Sequence, residues 1–127
     1  MPQSATFCTA VNCMDGRTQV QVNAYLKKYF TVEYVDTITE PGPVKILAEQ
    51  SPHSLLDSIL ARLDISVHKH GSKGIGVVAH YDCAGNPCEK DAQMDQLSRA
   101  IAYLSVTYPD MDILGLWVGE SWHVERV

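Results

Sequence analysis

The sequence lacks any concentration of positive charge. It has 10 Lys and Arg against 15 Asp and Glu, a formal net charge of −5, and Lys27-Lys28 is its one adjacent basic pair. Nucleic acids and acidic membrane surfaces are bound through clustered Lys and Arg. Long apolar runs are also missing, and Met1-Pro2-Gln3-Ser4 has no basic flank leading into an apolar stretch, so we expect neither a transmembrane helix nor a signal peptide. These absences predict a cytoplasmic protein with no nucleic-acid or membrane partner.

The sequence does contain enough apolar residues for one core. Its 127 residues are 46% hydrophobic and 20% charged, a composition typical of a folded chain and not of a disordered one. A chain of this length forms one domain of ordinary size, so we predict a single domain over residues 1–127. Without a signal peptide, the four cysteines are predicted to be thiols available for metal or redox chemistry. They are Cys8, Cys13, Cys83 and Cys88.

Apolar strands alternate with amphipathic helices along the chain. The strands are predicted at 5–12, 31–38, 74–79 and 112–118, and the helices at 18–30, 51–67 and 89–108. Pro41-Gly42-Pro43 ends the second strand, and residues 122–127 form a short tail. Predominantly apolar strands between helices are typical of a parallel sheet covered on both faces. The predicted fold class is therefore α/β, a mainly parallel β-sheet flanked by helices, with sites at the carboxyl ends of the strands.

The first predicted strand ends in a polar cluster, Asn12-Cys13-Met14-Asp15-Gly16-Arg17. Side chains of an extended segment alternate between faces, so Cys13, Asp15 and Arg17 are expected on one side and Met14 in the core. The Arg17 guanidinium can donate a fork of hydrogen bonds to Asp15 and keep that carboxylate ionised. The alternative is an ordinary Asp-Gly turn with a surface ion pair.

A second polar cluster, His80-Tyr81-Asp82-Cys83, follows the strand predicted at 74–79. A His nitrogen and a Cys sulfur at this spacing can bind one metal ion. The alternative is a hydrogen-bonded histidine beside a small buried cysteine. If the strands before the two clusters are neighbours, Cys13 joins His80 and Cys83. Two Cys and one His with an open fourth position form a catalytic zinc arrangement, and thiolates favour zinc over magnesium. We therefore predict one Zn²⁺ per chain.

The sequence resembles the β-class carbonic anhydrases. C-M-D-G-R at Cys13–Arg17 is similar to their C-x-D-x-R motif, and H-Y-D-C at His80–Cys83 is similar to their H-x-x-C motif. Residues 36–44, 54–63 and 114–118 resemble the family less specifically. The resemblance implies a β-carbonic-anhydrase-like fold and reversible hydration of carbon dioxide to bicarbonate by hydroxide on zinc. It also implies a homodimer or a higher homo-oligomer.

The resemblance further implies the residue roles. Cys13, His80 and Cys83 would be zinc ligands, and Asp15 and Arg17 a catalytic dyad. Asp15 would orient the nucleophile while Arg17 holds Asp15. In some members of the family the aspartate instead occupies the fourth zinc position in an inactive state.

The chain departs from the family pattern at four places. Gly16 stands where the family commonly has Ser, and Ala84 where it has Gly. Residues 39–42 (TEPG) stand where an Arg-x-Ala-Gly-like turn is usual. Because only 12 residues precede Cys13, we expect no counterpart of the family's N-terminal arm, which embraces the partner subunit. These features describe a minimal, divergent relative.

Three other functions fit parts of the same pattern. The metal site could serve a hydrolase of a carbon dioxide analogue, carbonyl sulfide or carbon disulfide. It could also belong to an inert regulatory or structural zinc protein in which Asp15 closes the coordination sphere. A thiol-redox protein is the third, although the sequence contains no C-x-x-C. The remaining Cys, His and Trp residues are predicted to lie in the core, in loops or on the surface: Cys8 in the core, Cys88 in a loop, His53, His68, His70 and His123 on the surface, and Trp117 and Trp122 in the core or a subunit interface.

Overall fold

A computed structural model describes residues 5–127. The strands are β1 (Phe7–Cys13), β2 (Tyr34–Glu40), β3 (Gly74–His80), β4 (Asp112–Val118) and β5 (Val124–Arg126). The α-helices are α1 (Gln19–Phe30), α2 (Pro43–Glu49), α3 (His53–Asp64) and α4 (Lys90–Thr107). A 3-10 turn (Gly16–Thr18) precedes α1, and a π-helical turn (Ile65–Lys69) extends α3. None of the helices among the described residues has the length and apolar composition needed to cross a membrane.

The strands form one five-stranded sheet in the order β2-β1-β3-β4-β5. The pairs β1/β2, β1/β3 and β3/β4 are parallel, and β5 returns antiparallel to β4. The predicted α/β class with a mainly parallel sheet is confirmed. The chain passes from β1 to β2 on one side and later places β3 on the other side, so β1 and β3 lie where the strand order changes direction.

Helices cover both faces of the sheet. Val22 and Leu26 of α1 pack with Ala10 and Val78 on one face. On the other face, α2, α3 and α4 bury a larger apolar cluster against β1, β3 and β4. Alternate strand residues point to opposite faces, which explains why uninterrupted apolar strands are needed between two helical layers. The layers are close, because a Cβ on Gly76 would lie 2.7 Å from Leu26 Cδ2.

Two short elements differ from the sequence-based expectation. Pro41-Gly42-Pro43 ends β2 as predicted but also begins α2, because Gly42 adopts a left-handed conformation (φ 60°) and Pro43 occupies the first helical turn, where its missing N–H costs nothing. The expected tail contains β5, which gains its hydrogen bonds only by pairing with β4. Such short segments carry too little periodicity to identify from sequence.

The helix predicted at 51–67 is divided. The α-helical part is α3, His53–Asp64, and residues Ile65–Lys69 form the π-helical turn. The second strand also begins later than predicted, at Tyr34. Helix and strand ends depend on local hydrogen bonding more than on apolar spacing.

Candidate metal centre

The carboxyl ends of β1 and β3 form the crevice of the sheet. The paired residues of these strands are Thr9–Val11 with Ile75–Val77, and the strands end at Cys13 and His80. In open α/β sheets, ligands bind outside the carboxyl ends of strands where the strand order changes direction. The topology therefore brings the two polar clusters to the same edge, although 67 positions separate Cys13 from His80.

Cys13, His80 and Cys83 converge in this crevice. One potential ligand atom from each lies within 4.8 Å of the others, and the Cys13 and Cys83 sulfurs are 3.8 Å apart. Each residue is at most 4% exposed. The structure thus assembles the three residues that the sequence singled out, from the ends of two strands and the loop that follows β3.

The ring of His80 is oriented for a ligand. Its Nδ1 lies 2.7 Å from the backbone oxygen of Tyr81, so the Nδ1 proton is donated to that carbonyl and Nε2 carries the free lone pair. Nε2 is buried and has no hydrogen-bond partner among the described residues. Buried polar atoms without a partner are uncommon, and metal-binding histidines regularly donate their other ring N–H in this way. His80 therefore fits a metal ligand.

Backbone groups beside the two sulfurs favour their ionised form. Those of Gly42 and Asp15 act to lower the pKa of Cys13, and those of Gly85 and Asn86 act to lower the pKa of Cys83. Such groups stabilise thiolate, the form that binds metal. Two sulfurs and one imidazole nitrogen suit a soft or borderline metal ion, so the site could bind a metal.

The hydrogen bond between the two sulfurs shifts their pKa values in opposite directions. The hydrogen bond from Cys83 lowers the pKa of Cys13, against the opposing effect of burial. The neighbouring Cys13 thiolate and burial raise the pKa of Cys83. Burial lowers the pKa of His80, but Cys13, the Tyr81 carbonyl and the Asp15 charge together outweigh that effect and raise it. One of the two sulfurs therefore ionises more readily than the other, and thiolate is the form that binds metal.

Asp15 and Arg17 form a bidentate ion pair next to the cluster. Arg17 Nη2 lies 2.7 Å from Asp15 Oδ2, Arg17 Nε lies 3.1 Å from Oδ1, and the Arg17 backbone N–H donates to Oδ1 at 2.9 Å. These bonds lower the pKa of Asp15 to about 2 and raise that of Arg17. The Asp15 carboxylate is paired with Arg17 and is not one of the converging metal-type ligands.

The predicted position of Met14 is wrong. Its side chain is 62% exposed, whereas alternation along an extended strand predicted a core position. The backbone N–H of Met14 donates to the Glu40 carbonyl at 3.0 Å and continues the edge of β1 against β2. At this point the strand has ended and leaves the covered part of the sheet, so the side chain projects into solvent.

Helix α4 supports the centre through two buried glutamines that the sequence analysis missed. Gln93 is 1% exposed, and its Nε2 donates to the His80 carbonyl at 2.8 Å while its Oε1 accepts from the His80 N–H at 3.3 Å. Gln96 accepts from the Asn86 side chain at 2.6 Å. Both lie on the buried stripe that continues with Leu97. Polar residues that extend an apolar stripe are the signal that identifies them.

Two loops interlock beside the sulfurs. A Cβ on Gly42 would lie 2.7 Å from Asn86 Cβ, and one on Gly85 would lie 2.6 Å from the backbone of Pro41. Close contact between the loops requires glycine at both positions, and Gly42 also has the left-handed backbone that glycine adopts readily. The contact holds the loop after β2 against the loop that carries Cys83.

The other cysteines and histidines lie apart from the centre. All four cysteines are free thiols; Cys8 is fully buried in the core beneath α1, as predicted, and Cys88 is exposed. Cys88 and Cys83 line a cavity of about 710 Å³ between the loop after β3 and the tail. His53, His68 and His123 are exposed as predicted. His70 is only half-buried, because its Nδ1 lies 2.6 Å from Asp36 and its ring stacks on Phe7.

Fold and site together define an α/β protein with a candidate Cys₂His metal centre. A family model described as "Putative carbonic anhydrase" matches residues 3–127. The chain belongs to this carbonic anhydrase family.

Solved structures show the same fold at low sequence identity. A structure from the study of two tetrameric β-carbonic anhydrases of the ascomycete Sordaria macrospora has a TM-score of 0.62 and 10% identity, with 99% of this chain and 82% of that chain covered. A β-carbonic anhydrase of Aspergillus fumigatus has a TM-score of 0.51 and 12% identity, with 98% and 76% covered. No curated protein sequence matches. The similarity confirms the predicted β-carbonic-anhydrase-like fold.

Proposed function

We propose that this protein is a zinc-dependent lyase that reversibly hydrates carbon dioxide to bicarbonate. The observation that supports this most is the convergence of two cysteine sulfurs and one histidine ring within 4.8 Å, with the buried Nε2 of His80 left without a partner. Membership of the carbonic anhydrase family supports a lyase. Three protein ligands with an open fourth position are typical of catalytic zinc sites, whereas structural sites are closed by four.

Cys13, His80 and Cys83 would hold the zinc ion. Zinc in such a site lowers the pKa of a water molecule, so that hydroxide is available near neutral pH. Asp15 is the hydrogen-bond acceptor that orients the nucleophile toward the carbon atom of carbon dioxide. Because its pKa is about 2, Asp15 remains an ionised acceptor throughout the neutral range. Arg17 fixes the carboxylate in one orientation through its bidentate contact.

We also propose that the protein acts as a homodimer or higher homo-oligomer in the cytoplasm. The study that supplied the Sordaria macrospora structure describes tetrameric enzymes, and cysteines with no disulfide between them suit a reducing compartment. Analytical ultracentrifugation of the purified protein tests the oligomeric state, and a monomer at micromolar concentration would contradict this part of the proposal.

Metal analysis and stopped-flow carbon dioxide hydration test the proposed activity. We expect about one zinc per chain from the ligand count and hydration that depends on that metal. Asp15→Asn should keep the zinc and lose turnover by about 10²-fold or more, since positioned acid–base groups contribute about 10²–10⁴-fold. Asp95→Asn is the matched control, because it removes a carboxylate from another exposed ion pair, with Arg99.

The alternatives give different results in the same experiment. Protein without metal after reducing purification would reject every zinc-based function. Zinc-loaded protein that turns over carbonyl sulfide or carbon disulfide but not carbon dioxide would identify a related hydrolase. Zinc-loaded protein inactive on all three would indicate a regulatory or structural zinc protein.

A further inference from the structure

Two residues with left-handed backbone conformations meet at the Arg17 side chain. Asp82 has φ 57° and Trp122 has φ 63°. Positive φ is costly for a bulky residue such as Trp and persists only where surrounding contacts enforce it. Both residues lie outside the regular elements, Asp82 in the loop after β3 and Trp122 in the tail after β4. Their shared contact with one guanidinium is therefore a feature to be explained.

The indole of Trp122 covers one face of the guanidinium. Arg17 Cζ lies 4.3 Å from the ring centroid, a distance at which a cation is attracted to the π face. The edges of the same guanidinium are occupied by Asp15 and Asp82. Nη2 donates to the Asp82 carbonyl at 3.1 Å, and Nη1 donates to Asp82 Oδ2 at 3.3 Å. Arg17 is thus held on its edges and on one face, although 48% of its side chain is exposed.

The position of Trp122 is itself fixed by α1. The Nε2 group of Gln21 donates to the Trp122 carbonyl at 3.0 Å and also to the Arg17 carbonyl. One amide therefore links the backbones of both partners. The Trp122 N–H donates to the Gly119 carbonyl at 2.9 Å, and β5 ties the following residues to β4. The indole packs against the core beneath α1. These contacts explain how the strained backbone is maintained.

We propose that Trp122 is a positioning residue that holds Arg17 on Asp15. An exposed ion pair between flexible side chains is weak and populates several geometries. The indole restricts Arg17 to the geometry in which both carboxylate oxygens of Asp15 are engaged, and the Asp15 carboxylate keeps one orientation beside the metal cluster. The role in catalysis rests on the proposed carbon dioxide hydration, whereas the restriction of Arg17 is a property of the folded chain alone.

The test compares Trp122→Leu with Trp122→Phe. Leu keeps an apolar side chain but removes the π face, and Phe restores a π face. The first measurement is solvent exchange of the Arg17 Nε–H by ¹⁵N NMR, which requires neither activity nor metal. We expect exchange about two- to fivefold faster in Trp122→Leu, the range that corresponds to loss of an exposed cation–π contact. Trp122→Phe should exchange at about the wild-type rate. Lys90→Met is the matched control, because it removes the cation over Trp117.

The second measurement is the split between kcat and KM in carbon dioxide hydration. We expect Trp122→Leu to lower kcat by about two- to fivefold with KM little changed, and Trp122→Phe to recover most of the loss. Gln21→Leu keeps the indole but frees the tail, and it should accelerate Arg17 exchange in the same direction. It provides a second route if Trp122→Leu fails to fold.

The outcomes separate this inference from the proposed function. Unchanged Arg17 exchange in folded Trp122→Leu or Gln21→Leu overturns the inference. Faster exchange with unchanged kcat overturns the catalytic role of Trp122. Inactive wild-type protein with zinc bound overturns the proposed function and with it that catalytic role, while the exchange measurement still decides whether Trp122 restrains Arg17.

Discussion

Removal of the Gln93 amide provides the sharpest test of how the centre is supported. The Tyr81 N–H donates to the Val118 carbonyl in β4. Successive backbone groups alternate in direction along a parallel strand, so the N–H and C=O of His80 point away from β4. The paired residues of β1 and β3 end at Val11 and Val77, so β1 does not supply their partners. Gln93 bonds both groups instead.

The expected cost of Gln93→Leu follows from these contacts. The His80 carbonyl loses a 2.8 Å bond and stays buried, and a buried polar group left unsatisfied costs about 1–3 kcal/mol. The hydrogen bond from the His80 N–H to Gln93 is long, at 3.3 Å, and its loss adds little to this cost. We expect the free energy of unfolding of the metal-free protein to fall by about 2 kcal/mol. For this chain length, that lowers the Tm by about 7 °C.

The same substitution should weaken zinc binding, because it frees the backbone of a proposed ligand. Loss of a group that supports a metal ligand typically costs about 10–100-fold in affinity. Urea denaturation of metal-free protein gives the stability, and competition with a chromophoric chelator gives the zinc affinity. Gln96→Leu is the matched control. It removes the side-chain amide from a neighbouring buried position of α4 that contacts Asn86 and not His80.

We expect Gln96→Leu to lose stability as well, but to change zinc affinity less than Gln93→Leu. Equal zinc affinities for the two variants, or wild-type stability in Gln93→Leu, would refute the reasoning. The first result would show that the His80 backbone needs no clamp. The second would show that its carbonyl finds another partner.

Three further predictions concern thiols, a loop contact and alkaline pH. In native zinc-loaded protein, a thiol reagent should modify exposed Cys88 rapidly and spare Cys8, whose pKa burial raises to about 11; modification of Cys8 before unfolding would contradict its placement in the core. Urea denaturation should show that Gly42→Ala lowers the free energy of unfolding by about 1–3 kcal/mol more than Gly71→Ala. Both glycines have positive φ, but an added Cβ has open space around Gly71 and meets Asn86 at Gly42. Equal losses would show that the loops do not interlock. Burial and the 2.6 Å hydrogen bond to Asp64 raise the pKa of Tyr108. This phenol therefore stabilises the fold below about pH 10, and the contribution is lost as the pH rises through the folded pKa. Tyr108→Phe should lose less stability than wild type between pH 9 and 11, and parallel pH profiles would exclude Tyr108 as the cause.

The sequence by itself determined the architecture and the three converging residues. Predominantly apolar strands between amphipathic helices are stable only with both faces covered, which predicts a parallel sheet. Parallel strands end at a common edge, so the polar clusters at Cys13–Arg17 and His80–Cys83 were expected to meet there if their strands were neighbours, a condition that the observed strand order fulfils. The pairing of Asp15 with Arg17 was likewise predictable from the chemistry of a guanidinium beside a carboxylate, but the 3-10 turn at Gly16–Thr18, and not an extended segment, brings the two side chains together.

The tertiary structure alone decided what surrounds those residues. The contacts that α4, the tail and the loop after β2 make with the site join positions far apart in the chain. Local periodicity contains no information about such contacts. Gln93 reads as one more polar residue until the fold places it against the backbone of His80. In the sequence, Trp122 cannot be distinguished from any other aromatic residue. In the fold, β5 and Gln21 hold its ring against the Arg17 guanidinium. The sequence thus identified the residues that can bind a metal, and packing between distant segments fixed the orientation of their side chains.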